Sequence, residues 1–322
     1  MNSLIDTRRK FSRKVCIIGV GYVGASIAYA LKLKEIAHEI VLIDKDISKA
    51  EAELMDLRHG ISYMGSAIIR VGDFSDISGA DLIVVTAGLN RKPDQSRLDL
   101  AADNIKITKD ISLEIQKYYT SGVVLIVSNP NDVLTFKMSQ WLGLPRGMVF
   151  GTGCTLDEAR FVSVVADYLN VKPNAVISQV IGEHGDTQVP LWSKTSVTGV
   201  PIVEYCNAID IRFGDDERLK VEETTRKMAV SIIRGKQRTH YGIASCMCFI
   251  ADAVLSRRAT VLCVTSTLDG EYGLKNVALS VPTVVDHMGA SRRLEESITD
   301  LEFSRLKASA EAVRTVIEQM PT

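Results

Sequence analysis

Apolar positions along the first half of the chain cluster into short, strand-like runs: Lys14 to Val20, Glu39 to Asp44, Ala67 to Val71, Asp81 to Gly88, Val123 to Asn129 and Met148 to Thr152. Segments of helical length lie between most of them. A short apolar run with no in-out alternation is a strand covered on both faces, and such strands alternating with amphipathic helices predict a doubly wound parallel sheet. Ligands of such a sheet bind at the carboxyl ends of its strands, where Asn129 and the loop after Gly88 are expected to lie. Past Gly151 the alternation lapses. The stretches Val176 to Ile181 and Val189 to Trp192 are followed by helices near Glu217 to Arg234 and Thr239 to Leu255. Strands over Ala259 to Thr267 and Asn276 to Val285 come next, and a final amphipathic helix runs from Asp300 to Gln319. The pattern predicts an α/β protein: a dinucleotide-type domain over residues 1–150, with an arm at 1–13, and an α+β substrate domain over 151–322.

The first βα junction gives the sheet a ligand. The run Lys14 to Val20 ends in Gly19-x-Gly21-x-x-Gly24 and opens directly into helix-compatible sequence from Ala25. These glycines permit a tight turn, the approach of a pyrophosphate to the backbone and close helix–strand packing, the Rossmann arrangement. The second strand ends in Asp44, about twenty residues beyond the last glycine, where a carboxylate accepts hydrogen bonds from an adenosine ribose. A carboxylate there repels a 2′-phosphate, so NAD is favoured over NADP. The competing reading is a plain βα turn with Asp44 capping the next helix.

Composition narrows the class. Of 322 residues 46% are apolar and 24% charged, with a formal net charge of −1, which offers no field to nucleic acid or to an anionic membrane. No run is long enough to span a bilayer. The six cysteines sit mostly in apolar runs, which points to free thiols and a cytoplasmic location; Cys246 and Cys248 lack a second Cys or His pair at zinc spacing and read as core, with no metal expected. The basic tract before Lys14 has no apolar segment behind it and reads as a disordered or docking arm.

Three segments carry candidate chemistry. Ile181 to Asp186 holds His184 between Gly182 and Gly185, a general acid–base candidate or else a surface turn residue. The helix opening after Gly153, with Thr155 as N-cap, places Asp157 and Arg160 on one face. The two form either a local ion pair or separate tools, Arg160 a carboxylate fork and Asp157 a brace for His184. The polar loop Leu89 to Arg97 reads as a lid carrying Arg91 and Arg97, or as a solvated charged loop. Tyr168-x-x-x-Lys172 mimics the tyrosine–lysine pair of short-chain dehydrogenases, but it sits at a helix end before Pro173 and reads as a surface pair.

The segments GVGYVG, SNPNDVLTF, GTGCTLDEARF, GEHGDTQVPLW and EYGLKNVALSVP, in this order, resemble the L-lactate and malate dehydrogenases from about Lys14 to Gln319. The resemblance implies an NAD-dependent L-2-hydroxy acid dehydrogenase. His184 would be its proton donor and acceptor, Asp157 the partner of His184, Arg160 the carboxylate anchor and Arg97 the group that polarises the carbonyl. Substrate contacts are implied for Arg91, Asn129 and Thr239. Cofactor contacts are implied for Gly19, Gly21, Tyr22, Val23, Gly24, Asp44, Thr86, Ala87, Gly88, Asn129 and Ile243. Overall the likeness is to the lactate branch, with pyruvate as the 2-oxo acid. Arg91 and Gln95 match the malate pattern and keep oxaloacetate open, Thr239 favours lactate, and Asp94 fits neither; an NAD-binding redox sensor is the non-enzymatic alternative. A homotetramer, or a dimer, is implied. Val162 and Ile177 stand where bacterial lactate dehydrogenases activated by fructose 1,6-bisphosphate usually have an arginine and a histidine, so no such activation is expected.

Overall fold

The computed structural model describes residues 13–89, 97–256 and 258–320, with the side chains of Ile61 and Arg97 outside that description. Residues 1–12 of the expected arm (1–13) and the loop positions Arg91, Asp94 and Gln95 therefore lie outside the described residues.

The first half builds β1 (Lys14–Ile18), α1 (Tyr22–Leu33), β2 (Glu39–Ile43), α2 (Ile47–His59), β3 (Ile68–Val71), β4 (Leu82–Val85), α3 (Arg97–Tyr118), β5 (Val123–Ile126), α4 (Asn131–Leu142) and β6 (Val149–Gly151). Its strands pair in parallel in the order β6-β5-β4-β1-β2-β3. All four residues of β4 and of β5 are buried, as expected of strands with helices on both faces. The order reverses between β1 and β4, and the chain leaves both strands on the same edge, which creates the crevice such sheets use for ligands.

The second half adds α5 (Thr155–Leu169), then β7 (Val176–Ile177), β8 (Val180–Ile181), β9 (Val189–Pro190), β10 (Ser196–Val197) and β11 (Val200–Pro201). It continues with α6 (Ile202–Ala208), α7 (Asp215–Lys236), α8 (Tyr241–Leu255), β12 (Thr260–Asp269), β13 (Lys275–Asp286), β14 (Gly289–Arg293) and α9 (Asp300–Gln319). The stretch Val176 to Ile181 is two strands with Ser178 and Gln179 between them: β7 joins a three-stranded sheet with β10 and β11, while β8 pairs with β9. Strands β12 to β14 extend the parallel sheet: β12 runs antiparallel to β6, pairing Thr265 with Gly151. One nine-stranded sheet thus runs through both halves and brings the second half's chemistry beside the first half's strand ends.

Local features are met with small shifts. Thr155 is the first residue of α5 rather than its cap; Cys154 occupies the cap, and the Thr155 hydroxyl donates to the Thr152 carbonyl at 2.8 Å. Asp46, not Asp44, caps α2, its Oδ1 accepting from the Lys49 N–H at 3.1 Å. This frees Asp44 from the capping alternative. Helix α8 packs on α1, burying Met247, Cys248 and Ala251; Cys246 is half-buried, and burial pushes its thiol up to about 11.

Candidate active site

The loop after β8 carries Gly182 to Thr187, and four elements hold it. Gly182 exchanges both main-chain hydrogen bonds with Ser280 of β13, at 2.8 and 3.0 Å. The Glu183 N–H donates to Ser309 Oγ on α9 at 2.7 Å, and the His184 N–H donates to Asp132 Oδ2 on α4 at 2.8 Å. The imidazole itself meets α5, with His184 Nδ1 at 2.5 Å from Asp157 Oδ2. Of the two glycines, only Gly182 needs the left-handed region, at φ +90°, where an added Cβ would also lie 2.8 Å from Ser309 Oγ. Gly185 instead supplies room, since its Cβ would crowd the Glu183 carboxylate at 2.9 Å.

Asp157 answers the question left open by its spacing from Arg160: it does both jobs. One oxygen meets His184, and the other accepts from Arg160 Nη1 at 3.0 Å, with Asp157 itself buried. An ionised carboxylate only accepts, so the proton between Asp157 and neutral His184 sits on Nδ1, leaving Nε2 as the nitrogen that exchanges protons with a ligand. Burial pulls the imidazole pKa down, but the charge and hydrogen bond of Asp157, with Asp132 behind, outweigh it and raise His184 to about 9. Arg160 spends one N–H on Asp157, which leaves the rest of its planar fork for a ligand carboxylate.

The other expected residues lie on the surrounding elements. Asn129 ends the turn after β5, joined to Pro130 by a cis peptide bond, and Asn131 and Asp132 follow it. Thr239 lies in the joint before α8, whose start packs on the start of α5: a Cβ on Gly242 would lie 3.0 Å from Leu156 Cδ1. Ile243 is half-buried against the core under the first βα unit. A cavity of about 110 Å³ beside His184, lined among others by Leu98, Pro130, Asp132, Val313 and Val316, has the scale of a small organic acid. Arg97 begins α3, one residue before that lining. The Tyr168 hydroxyl donates to the Arg212 carbonyl at 2.5 Å, a contact at the far end of α5 from Asp157.

The dinucleotide crevice fits its expected occupant. Gly19 takes φ +97°, where a Cβ would strike the Ala87 nitrogen at 2.5 Å, and a Cβ on Gly24 would lie 2.1 Å from the Gly19 carbonyl. Both glycines are needed for the turn and for packing. Around Gly21, by contrast, the nearest atom to an added Cβ is Lys49 Nζ at 3.8 Å, so open space lies over the start of α1. That start has no side-chain cap and no acidic residue in its first turn, and its free N–H groups at Tyr22, Val23 and Gly24 suit a pyrophosphate. Thr86, Ala87 and Gly88 flank it from the end of β4, held by Thr86 Oγ1 to the Gly19 carbonyl at 2.5 Å and by the Ala87 N–H to the Ile18 carbonyl at 3.0 Å. Asp44 lies at the end of β2, its Oδ2 accepting from the Val20 N–H at 2.6 Å.

The chain matches the family model described as lactate/malate dehydrogenase, NAD binding domain, over residues 13–151. It matches the companion lactate/malate dehydrogenase, alpha/beta C-terminal domain, over residues 154–321. The chain belongs to the lactate/malate dehydrogenase family. It is 39% identical over 307 residues to an L-lactate dehydrogenase of Thermoanaerobacter pseudethanolicus, covering 95% of this chain and 99% of that one. It is also 39% identical over 310 residues to L-lactate dehydrogenase 2 of Lactococcus lactis, covering 96% and 98%. Among solved structures, the ligand-bound minor L-lactate dehydrogenase of Enterococcus mundtii superposes with a TM-score of 0.93 at 38% identity, covering 97% of this chain and 99% of that one. As a member of this family the chain uses NAD, for which the glycine turn and Asp44 are suited.

Two contacts at this dehydrogenase site are not evident from the sequence alone. Asn104 of α3 accepts from the Leu89 N–H at 2.7 Å and donates to the Asn129 carbonyl at 2.7 Å, tying Leu89, after β4, to the turn after β5. Asp132 is buried beneath His184, and its signal in the sequence was only an acid in an apolar first turn, the pattern of ordinary helix-dipole stabilisation.

Proposed function

We propose that this protein is an NAD-dependent L-lactate dehydrogenase that interconverts L-lactate and pyruvate. The observation that carries the reading is the chain His184–Asp157–Arg160 at the strand ends beside the dinucleotide crevice. A bare NAD-binding sensor has no use for an imidazole braced by a carboxylate that also aligns a guanidinium. Full-length relatives named L-lactate dehydrogenase support the lactate branch, and oxaloacetate reduction, suggested by Arg91 and Gln95, is not favoured by them.

Bound NAD supplies the hydride acceptor or donor. The residues of the chain do the rest. Arg160 binds the substrate carboxylate with the N–H groups that Asp157 leaves free, fixing the C2 face presented to the cofactor. In pyruvate reduction His184 gives its Nε2 proton to the C2 oxygen, and in lactate oxidation it takes that proton back. Asp157 holds the ring and stabilises its charged form. Arg97, at the start of α3, polarises the carbonyl, Asn129 helps hold nicotinamide and substrate, and Thr239 limits the room for the substrate side chain. The chain acts in the cytoplasm as a homotetramer.

A steady-state comparison tests this. With NADH, kcat/KM for pyruvate should exceed that for oxaloacetate, and Arg91→Gln should raise the ratio further. His184→Asn should cut kcat by about 10²-fold or more while NADH still binds. A higher kcat/KM for oxaloacetate in the unaltered protein would overturn the lactate assignment.

A further inference from the structure

Asp132 is a second carboxylate facing His184, and the binding and catalytic roles described above make no use of it. It sits in the first turn of α4, directly after the Asn129–Pro130 turn, and is 2% exposed. Both oxygens are engaged as acceptors: Oδ2 from the His184 main-chain N–H at 2.8 Å, Oδ1 from Thr265 Oγ1 on β12 at 2.5 Å. Thr265 Oγ1 in turn lies 3.0 Å from Ser280 Oγ on β13, which accepts from the Cys154 N–H at 2.9 Å, the residue that precedes α5. One network of short polar contacts thus joins α4, β12, β13 and the start of α5 beneath the histidine. A carboxylate this buried is tolerated only when both oxygens are satisfied, and a network so completed holds one geometry.

We propose that Asp132 is a positioning residue: it fixes the main chain of His184 and supplies a second negative charge that favours the protonated imidazole. The proposal rests on His184 being the proton donor of pyruvate reduction.

The charged and titratable groups around the pair act in known directions. Asp157 on α5 favours the cationic ring, Arg160 on the same helix opposes it, and Asp132 on α4 adds to Asp157. Around Asp132 itself, burial pushes the carboxyl up to about 7, against the Thr265 hydrogen bond and the charge and N–H of His184, while Glu183 adds to the rise. The Cys154 thiol, raised well above its usual value by burial and by both carboxylates, stays neutral. The walls from α3 and α9 are apolar here, at Leu98, Ala101, Val313 and Val316.

Asp132→Asn separates charge from position. The amide oxygen still accepts from His184, and the amide NH2 donates to Thr265, which turns its proton toward Ser280. Pyruvate kcat/KM is measured against pH for the unaltered enzyme, Asp132→Asn and Asp132→Ala, with NADH affinity read by fluorescence titration. Asp132→Asn should keep kcat within about 10-fold at acidic pH and move the alkaline limb down by about one pH unit. Asp132→Ala, which loses the acceptor, should lower kcat by about 10²-fold with NADH affinity unchanged. An alkaline limb in Asp132→Asn that coincides with the unaltered enzyme's overturns the proposal, whether or not Asp132→Ala folds. If the unaltered enzyme shows no alkaline limb, or His184→Asn retains full kcat, the reading of His184 fails instead.

Discussion

At the scale of single residues the chemistry rests on one imbalance. Burial alone would leave His184 neutral, and Asp157 at 2.5 Å from its ring, with the charge of Asp132 added, reverses that, raising the pKa from 6.5 to about 9. The direction sets a pH dependence. With His184 as the proposed proton donor, pyruvate reduction needs the protonated ring, so its kcat/KM should stay flat through neutrality and fall tenfold per unit above about pH 9. Lactate oxidation needs the neutral ring and should rise toward the same pH. A pKa higher in the folded than in the unfolded chain stabilises the fold below the unfolded value, and that gain is lost as pH climbs to the folded one. The unfolding temperature should therefore decline between about pH 6.5 and 9, less so in His184→Asn, a difference that scanning calorimetry on the two proteins reads directly. His184 and its two partners are legible from residue type and spacing because each role demands one side chain. Asp132 is not legible in the same way, since an acid in the first turn of a helix is ordinary until burial removes its water.

At the scale of elements, the βα junction separates two duties of glycine that the sequence pattern merges. Gly24 is a packing residue: any Cβ meets the Gly19 carbonyl at 2.1 Å, backbone that has no flexible end to yield. Gly21 faces open space. Gly24→Ala should therefore lower the unfolding temperature by about 5 °C or more. Gly21→Ala should leave that temperature nearly unchanged and weaken NADH binding by about tenfold or more, because its methyl group occupies the place of the pyrophosphate. Equal loss of stability in the two variants would contradict the division. The same scale explains why the stretch Val176 to Ile181 divides between two sheets. Polar Ser178 and Gln179 separate its two apolar pairs, and β7 and β8 on either side of them find partners in different sheets, set by distant residues rather than by the stretch itself.

At the scale of the whole molecule, antiparallel β12 to β14 carry the sheet past β6, so the second half reaches the first through hydrogen-bonded strands as well as through helix contacts such as α1 with α8. The loop bearing His184 is anchored to β13, α9, α4 and α5 together, which makes its geometry a property of the assembled fold. At the surface of β7, Ile177 is 57% exposed, and neither it nor Val162 has a side chain able to bind phosphate. Fructose 1,6-bisphosphate should leave the pyruvate KM unchanged within about twofold, and sedimentation should show one tetrameric species with and without it; a clear fall in KM would reveal a phosphate site elsewhere.

The linear sequence determined the period of each element, the strand–turn–helix of the dinucleotide junction, the acid at the end of β2 and the residue types of the proposed acid–base centre. These are local matters: backbone freedom at glycine, apolar runs that must be covered, and side chains whose chemistry travels with them. Tertiary structure alone decided that Asp157 serves His184 and Arg160 at once, that Asp132 lies buried beneath the histidine, and that Asn104 ties Leu89 to the turn after β5. Apart from Asp157–Arg160, those contacts join residues 15 to 52 positions apart, and their strength comes from exclusion of water, a condition that exists only once the surrounding chain has closed over them.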